Sequence, residues 1–376
     1  MFVGLTNTPR DYAWGSPTAI ADLLGRARSG GPEAEYWLGT HPGSPSHLRD
    51  PSEHGGAKLL SELTTLPFLL KVLAADAPLS LQAHPTQAQA QAGFEQENAL
   101  GIPLDAPNRN YRDSQHKPEL IYALSDEFVA LCGFRPVAAT RTLLAALGDD
   151  PLIAAFRARL ADDDSLPPLL EWLLSRSEGV DELVAQVVER STMLDGAEFT
   201  MVGELAAAYP GDPGIVVALL LNRVVLSPGQ ALYLPAGNIH AYLRGVGIEL
   251  MSASDNVLRG GLTPKHIDVT ELLGVLDFRA GPPPLMAPDD PAAGVRVFRP
   301  DVPDFELVVV QPSGEPARFA PAGESILLCT AGHLAVAGAA SQYSLSRGDS
   351  AYVTADEGPL VFSGTGTVFL ATINSR

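Results

Sequence analysis

Leu226-Ser-Pro-Gly-Gln-Ala-Leu-Tyr-Leu-Pro-Ala236 is echoed 119 residues later by Leu345-Ser-Arg-Gly-Asp-Ser-Ala-Tyr-Val-Thr-Ala355, with Leu, Ser, Gly, Tyr and Ala in matching places. Each copy reads as a turn opening a strand in which small and large residues alternate, the texture of a β-barrel or double-sheet jelly roll. Two such units in one chain imply a duplication. The copies part where chemistry would sit: His240 follows the first, and its counterpart 119 residues on is Pro359. A residue needed only for packing would recur in both. The asymmetry therefore assigns function to the first unit and structure to the second.

Outward from the repeat, residues 1–135 alternate short apolar runs with Gly, Pro, Asn and Asp, as in 67–85 and 117–134, which is strand and turn grammar. Ala, Leu, Gln and Glu mark short helices at about 18–26 and 86–98. Between Val137 and about Tyr209, apolar residues recur three and four apart in 138–147, 151–161, 167–177 and 180–190, which predicts a small helical unit. Strand grammar returns at Ile215. A helix is predicted over 263–273, with Thr263 as its cap and Pro264 in its first turn. The Pro- and Asp-rich stretch 281–294 reads as a linker. The expected fold is mainly β with a helical insertion: two jelly-roll β-barrel units plus a small all-α domain.

Composition narrows the function. A chain of 376 residues exceeds the usual single core, so more than one packed unit is expected. It is 46% hydrophobic and 18% charged, with no apolar run long enough to span a bilayer and no cationic, apolar start, which reads as soluble and cytoplasmic with no membrane partner. Cys132 and Cys329 are far apart and outside any CxxC pattern, so they read as inert thiols. A net charge of -19 repels a nucleic-acid backbone. A small anion is still accommodated if positive charge concentrates in one cleft. Only four of the 25 basic residues are lysines, at 58, 71, 117 and 265, and three of them fall in the segments that carry chemistry.

In Leu79-Ser-Leu-Gln-Ala-His-Pro85 the strand period of two puts Ser80, Gln82 and His84 on one face, with Leu79, Leu81 and Ala83 on the other. Lys117-Pro-Glu-Leu-Ile-Tyr-Ala-Leu124 places Lys117 and Glu119 together, and Pro235-Ala-Gly-Asn-Ile-His-Ala-Tyr242 presents His240 with Tyr242. Two imidazoles, a carboxylate and an amide oxygen projecting into a barrel make a mixed nitrogen and oxygen site suited to Zn²⁺ or a similar divalent ion.

Asn-Thr-Pro-Arg-Asp-Tyr-Ala-Trp-Gly-Ser at 7–16, Glu-Tyr-Trp-Leu-Gly-Thr-His-Pro at 35–42, and the segments 67–85, 116–119, 235–242 and 248–268 resemble the ordered motifs of type I mannose-6-phosphate isomerases of the cupin superfamily. The run Ser254-Asp-Asn-Val-Leu-Arg-Gly-Gly-Leu-Thr-Pro-Lys265 is the most specific of them. The last 90 or so residues match only in general character. The resemblance implies a catalytic cupin domain of 1–136 and 215–280, a helical insertion domain of 137–214, and a non-catalytic C-terminal cupin domain of 281–376. It implies one zinc held by Gln82, His84, Glu119 and His240, and a sugar-phosphate substrate. It also implies an aldose-ketose isomerase that interconverts mannose 6-phosphate and fructose 6-phosphate, working as a monomer or weak homo-oligomer. The chain departs from the common pattern in reading Gln-Ala-His for Gln-Val-His, and Gly-Asn-Ile-His for Gly-x-Pro-His. Neither departure removes a ligand.

Such an exchange moves a proton between C2 and C1 through an enediolate, so the site must supply a base, a proton shuttle and an electrophile. Arg259 is assigned to stabilising the enediolate and positioning the substrate. Lys117 is a candidate for holding the anion or shuttling protons. Glu249 is a candidate acid/base or hydroxyl acceptor, with Asp255 and His116 behind it. Lys71, Ser80 and Lys265 are candidates for binding the substrate, and Trp14 for a sugar-facing wall. Glu35 and His41 are read as structural. A cupin metal oxygenase and a non-catalytic sugar-phosphate-binding regulator are the competing readings. The first leaves the Lys and Arg provision unexplained, and the second leaves the retained ligands unexplained.

Overall fold

The computed structural model describes residues 1–375. Two antiparallel sheets of ten strands each carry the fold. The first is built around His240–Ser252, which pairs with Phe68–Ala75 on one side and with Glu119–Ala123 on the other. The N-terminal half of the same strand pairs with Phe128–Phe134 and, at His240, with Gln82. In the second sheet, Leu360–Thr372 takes the same central place, between Ser325–Ala337 and Glu306–Val310. The N-terminal strand Phe2–Thr6 joins this second sheet, pairing with Ser350–Val353.

Strand alternation explains how the sheets meet. Leu70, Val72, Leu120, Ile248 and Leu250 face Leu307, Val309, Ile326, Leu328 and Phe369 in a core shared by both sheets. The residues between them, Lys71, Glu119 and Glu249, therefore point into the first barrel's own interior. The interior of the second barrel is filled by Val295, Val308, Leu327, Phe362, Val368 and Leu370.

The expected helices at the start of the chain form as Ala19–Leu24 and Gln87–Ala99, the latter capped by Thr86 with Gln89 closing a reciprocal box. The helical unit forms as Val137–Ala146, Pro151–Arg159, Leu166–Leu174, Val180–Ser191 and Ala197–Ala208. Three local expectations are corrected. The run after Pro213 is a helix, Gly214–Leu220, and the strand begins only at Leu221. All seven of its residues are buried, and a uniformly apolar run carries no period to separate a buried helix from a buried strand. The helix expected from Thr263 begins six residues later, as Val269–Val275 capped by Asp268. Thr263 instead turns the chain locally, its hydroxyl accepting from the Lys265 amide at 3.1 Å. The stretch read as a linker contains two short strands, Leu285–Met286 and Asp289–Ala292. Among the described residues, no helix is long and apolar enough to cross a membrane.

Candidate active site

A cavity of about 550 Å³ opens into the first barrel. At its floor, His84, Glu119 and His240 converge, with their ligand-type atoms all within 4.8 Å of one another. His84 Nε2 lies 3.2 Å from Glu119 Oε1, and His240 Nε2 lies 3.2 Å from Glu119 Oε2. Backbone carbonyls orient both rings: His84 Nδ1 faces Asn256 O at 2.7 Å, and His240 Nδ1 faces Asn238 O at 3.0 Å. The carbonyls hold the proton on Nδ1 and leave each Nε2 lone pair aimed inward.

These side chains fit a divalent cation. His84 Nε2 and Glu119 Oε2 are buried with no hydrogen-bond partner, an arrangement that is costly unless something positive sits between them. The Gln82 amide adjoins the cluster, its Nε2 3.3 Å from His240 Nε2. A half-turn about its last torsion presents Oε1 to the same point. Burial pushes the His84 imidazole down to about 4, with the Lys117 charge acting in the same direction. Burial opposes ionisation of Glu119, but Lys117 and His84 outweigh it and hold the carboxyl well below its usual range. Both groups are thereby kept in the form that ligates a metal.

Two residues along the central strand from Met251, the register partner of Glu119, is a second charged cluster at Glu249. Lys71 Nζ lies 3.0 Å from Glu249 Oε2 and 3.4 Å from Glu35 Oε1, and 4.9 Å from the centre of the Trp37 ring. Pairing across the sheet explains the meeting, since Lys71 is the register partner of both Glu249 and Trp37. Burial works against the Lys71 ammonium, yet Glu249 and Glu35 raise its pKa above the ordinary value. Burial raises the Glu249 carboxyl, and Lys71 only partly offsets it. The buried Tyr242 side chain lines the same space beside Glu249.

Toward the mouth sit Arg259, Lys265, Asp255, Ser80 and Trp14. Arg259 and Lys265 are both lowered from their ordinary values by burial and then by neighbouring cations, Arg112 being common to both. Three of the four lysines, Lys71, Lys117 and Lys265, line this one cavity in a chain of charge -19. Lys117 Nζ is 2.9 Å from Glu119 Oε1.

Of the sequence candidates, Trp14, Lys71, Ser80, Gln82, Lys117, Glu119, Glu249, Asp255, Arg259 and Lys265 line the cavity, with His84 and His240 packed against its floor. His116 does not line it; its ring turns away to Asp304, 3.0 Å distant in the C-terminal unit. Glu35 and His41, read as structural, do line it, and so does Trp37. The signal for Glu35 was its place in Glu35-Tyr-Trp-Leu-Gly39, where the strand period sets a carboxylate on the face opposite Tyr36 and Leu38. Tyr209 of the helical unit also reaches the cavity, a contact between distant segments that carries no local sequence signal.

Residues 2–137 match the family model "Phosphomannose isomerase type I, catalytic domain". The mannose-6-phosphate isomerase of Escherichia coli K12 is 38% identical over 382 residues, covering 96% of this chain and 97% of that protein. Mannose-6-phosphate isomerase 2 of Arabidopsis thaliana is 31% identical, covering 92% of this chain and 87% of its own. The crystal structure of the Salmonella typhimurium mannose 6-phosphate isomerase bound to fructose 6-phosphate and zinc superposes with a TM-score of 0.88 at 36% identity, covering 99% of both chains. The motifs, the barrel and the likeness along the whole length agree, and the chain belongs to the type I phosphomannose isomerase family.

Proposed function

We propose that this chain is an aldose-ketose isomerase that interconverts D-mannose 6-phosphate and D-fructose 6-phosphate at a zinc site. The observation that carries the reading is one cavity lined by Glu119 of the buried His84, Glu119 and His240 cluster, by the buried Lys71 and Glu249 pair, and by the cations Arg259 and Lys265. Gln82, His84, Glu119 and His240 hold the metal. Zinc, when bound there, supplies positive charge that orients and polarises sugar oxygens.

The chain's own groups account for the rest. Lys265, Ser80 and Arg259 bind the phosphate end, because a doubly charged anion is favoured where cations crowd. Arg259 also faces the negative charge that develops on the enediolate oxygens. Glu249 takes and returns the proton passed between C2 and C1. Its raised pKa suits a group that must do both, and Lys71 at 3.0 Å steadies its anion. Lys117 and Asp255 contact sugar hydroxyls, and Trp14 walls the entrance. With His116 turned toward Asp304, its role is to fix the strand that carries Lys117 and Glu119.

The organisation proposed is a catalytic cupin unit from 1–136 and 215–280, a helical insertion of 137–214 and a C-terminal cupin unit of 281–376, with two adjustments. Phe2–Thr6 is lent to the C-terminal sheet, and the insertion runs on through Leu220. The protein works in the cytoplasm as a monomer or weak homo-oligomer, without nucleic-acid or membrane partners. A coupled isomerase assay with and without a chelator tests the reading: activity on mannose 6-phosphate that vanishes with the chelator and returns with Zn²⁺ is expected. Failure to interconvert the two sugars in the zinc-loaded protein would sink it.

A further inference from the structure

Between helices Ala197–Ala208 and Gly214–Leu220 the chain makes a short connector, and two of its side chains bond adjoining segments of the cavity wall, 78–81 and 260–263, which pair with each other through Leu81 and Gly261. Tyr209 lines the cavity, and its hydroxyl donates to the Pro78 carbonyl at 2.6 Å, just ahead of Leu79 and Ser80. Asp212 grips the adjoining segment. Its Oδ1 accepts from the backbone amides of Leu262 at 3.0 Å and Gly214 at 2.7 Å, and its Oδ2 accepts from Thr263 at 3.2 Å. A carboxylate taking three backbone donors is a strong, directional clamp.

The clamped segment is strained and closely packed against the connector. Leu262 sits at φ 54°, a left-handed conformation that side chains disfavour, although its own side chain is fully buried beside Leu81, Ile215, Ile239 and Leu258. The backbones of Gly214 and Gly261 touch, so that a Cβ on Gly214 would lie 2.7 Å from the Leu262 nitrogen. Arg259 and Lys265 flank the segment and repel each other and Arg112. The only carboxylate bonded to its backbone belongs, among the described residues, to the helical unit.

We propose that Asp212 is a positioning residue for the isomerisation: through the amides of Leu262 and Thr263 it holds the segment between Arg259 and Lys265 in the shape that presents both cations to the sugar's phosphate. The helical insertion is then a working part of the substrate site. This inference rests on the isomerase reading above.

The test uses zinc-loaded full-length protein and the variants Asp212→Asn, which is isosteric, and Asp212→Ala. Glu204→Gln is the control, on the same helical unit but paired with the exposed Arg244 at 3.3 Å. Loss of a charged hydrogen-bonding group predicts a KM for mannose 6-phosphate raised about tenfold in Asp212→Asn and more in Asp212→Ala, with kcat changed less. Inorganic phosphate should inhibit more weakly by the same factor, while zinc affinity stays at the wild-type value and the control is unchanged. If Asp212→Ala does not fold, Asp212→Asn decides. Asp212 variants that lose melting temperature but keep the wild-type KM and phosphate inhibition would overturn the proposal. An inactive wild-type protein would instead break the isomerase reading.

Discussion

The two barrels follow one backbone plan. In the first, the four-residue strand Ala231–Leu234 leads to the thirteen-residue strand His240–Ser252; in the second, Ser350–Val353 leads to Leu360–Thr372. The separation of 119 residues maps Leu250 onto Phe369, and both lie in the core shared by the sheets. One residue earlier the plan diverges, because Glu249 faces the cavity whereas its counterpart Val368 fills an apolar interior. The same backbone thus supports either a packed hydrophobic barrel or one hollowed out around buried charges. Buried charges are tolerated only when paired, which is why those of the first barrel come as Lys71 with Glu35 and Glu249, and Lys117 with Glu119.

Changes that push one barrel toward the other should act in graded steps. The largest effect is expected for His240→Ala, which removes a residue that the second barrel lacks: bound zinc should fall to background and activity by at least about 10³-fold. Elemental analysis beside the assay checks this, and retention of a full zinc equivalent would refute the ligand assignment. Glu249→Val, which writes the second barrel's residue into the first, should lower turnover about 10²- to 10³-fold with zinc still bound. Arg259→Ala should behave alike, and zinc loss equal to that of His240→Ala would mean a structural arginine has been mistaken for a chemical one. In the second barrel the fully buried Leu370→Ala should cost roughly 2–5 kcal/mol of stability, read by denaturant unfolding, while kcat of the folded fraction is unchanged. A lost kcat there would show that the second barrel takes part in the chemistry.

The sequence exposed the features that repeat or alternate. The 119-residue echo pointed to two barrels, and the period of two grouped Gln82 with His84, which both adjoin His240, and Lys117 with Glu119, which both line the cavity. Signals of that kind are local, because a strand fixes its side-chain directions over a few residues. What stayed hidden was settled by tertiary contact. Ile215 to Leu220 is apolar enough for strand or helix, and in the fold it is a fully buried helix packed in the core of the helical unit. Thr263 looks like a cap until Asp212, 51 residues away, takes its amide. Glu35 had a local signal for its face, but its partner there, Lys71 at 3.4 Å, comes from the neighbouring strand.

The smallest expected effect lies in the turn that joins the short and long strands. In the first barrel this turn contains Asn238, whose carbonyl orients the metal-type ligand His240. Its counterpart in the second barrel is Glu357, whose carboxylate pins a neighbouring loop instead. It accepts from the amides of Ala340 at 3.0 Å and Ser341 at 3.1 Å and from the Ser341 hydroxyl, and it pairs with the Met1 ammonium at 2.9 Å. Burial raises the carboxyl, but these bonds outweigh it and bring it down from 4.5 to about 2. A carboxyl lowered on folding stabilises the native state fully above its unfolded value and progressively less as pH falls toward its folded value. Glu357→Gln should therefore cost on the order of 2 kcal/mol at neutral pH, less than the shift alone implies because the Met1 ammonium is largely solvent-screened. The gap to wild type should narrow from pH 4.5 downward and close near pH 2, as read by urea unfolding at fixed pH. Isomerase activity of the folded variant should not change. A gap that stays constant across that range would mean the loop is held by shape rather than by charge, and the turn would then be structural in the second barrel for a reason unrelated to its carboxylate.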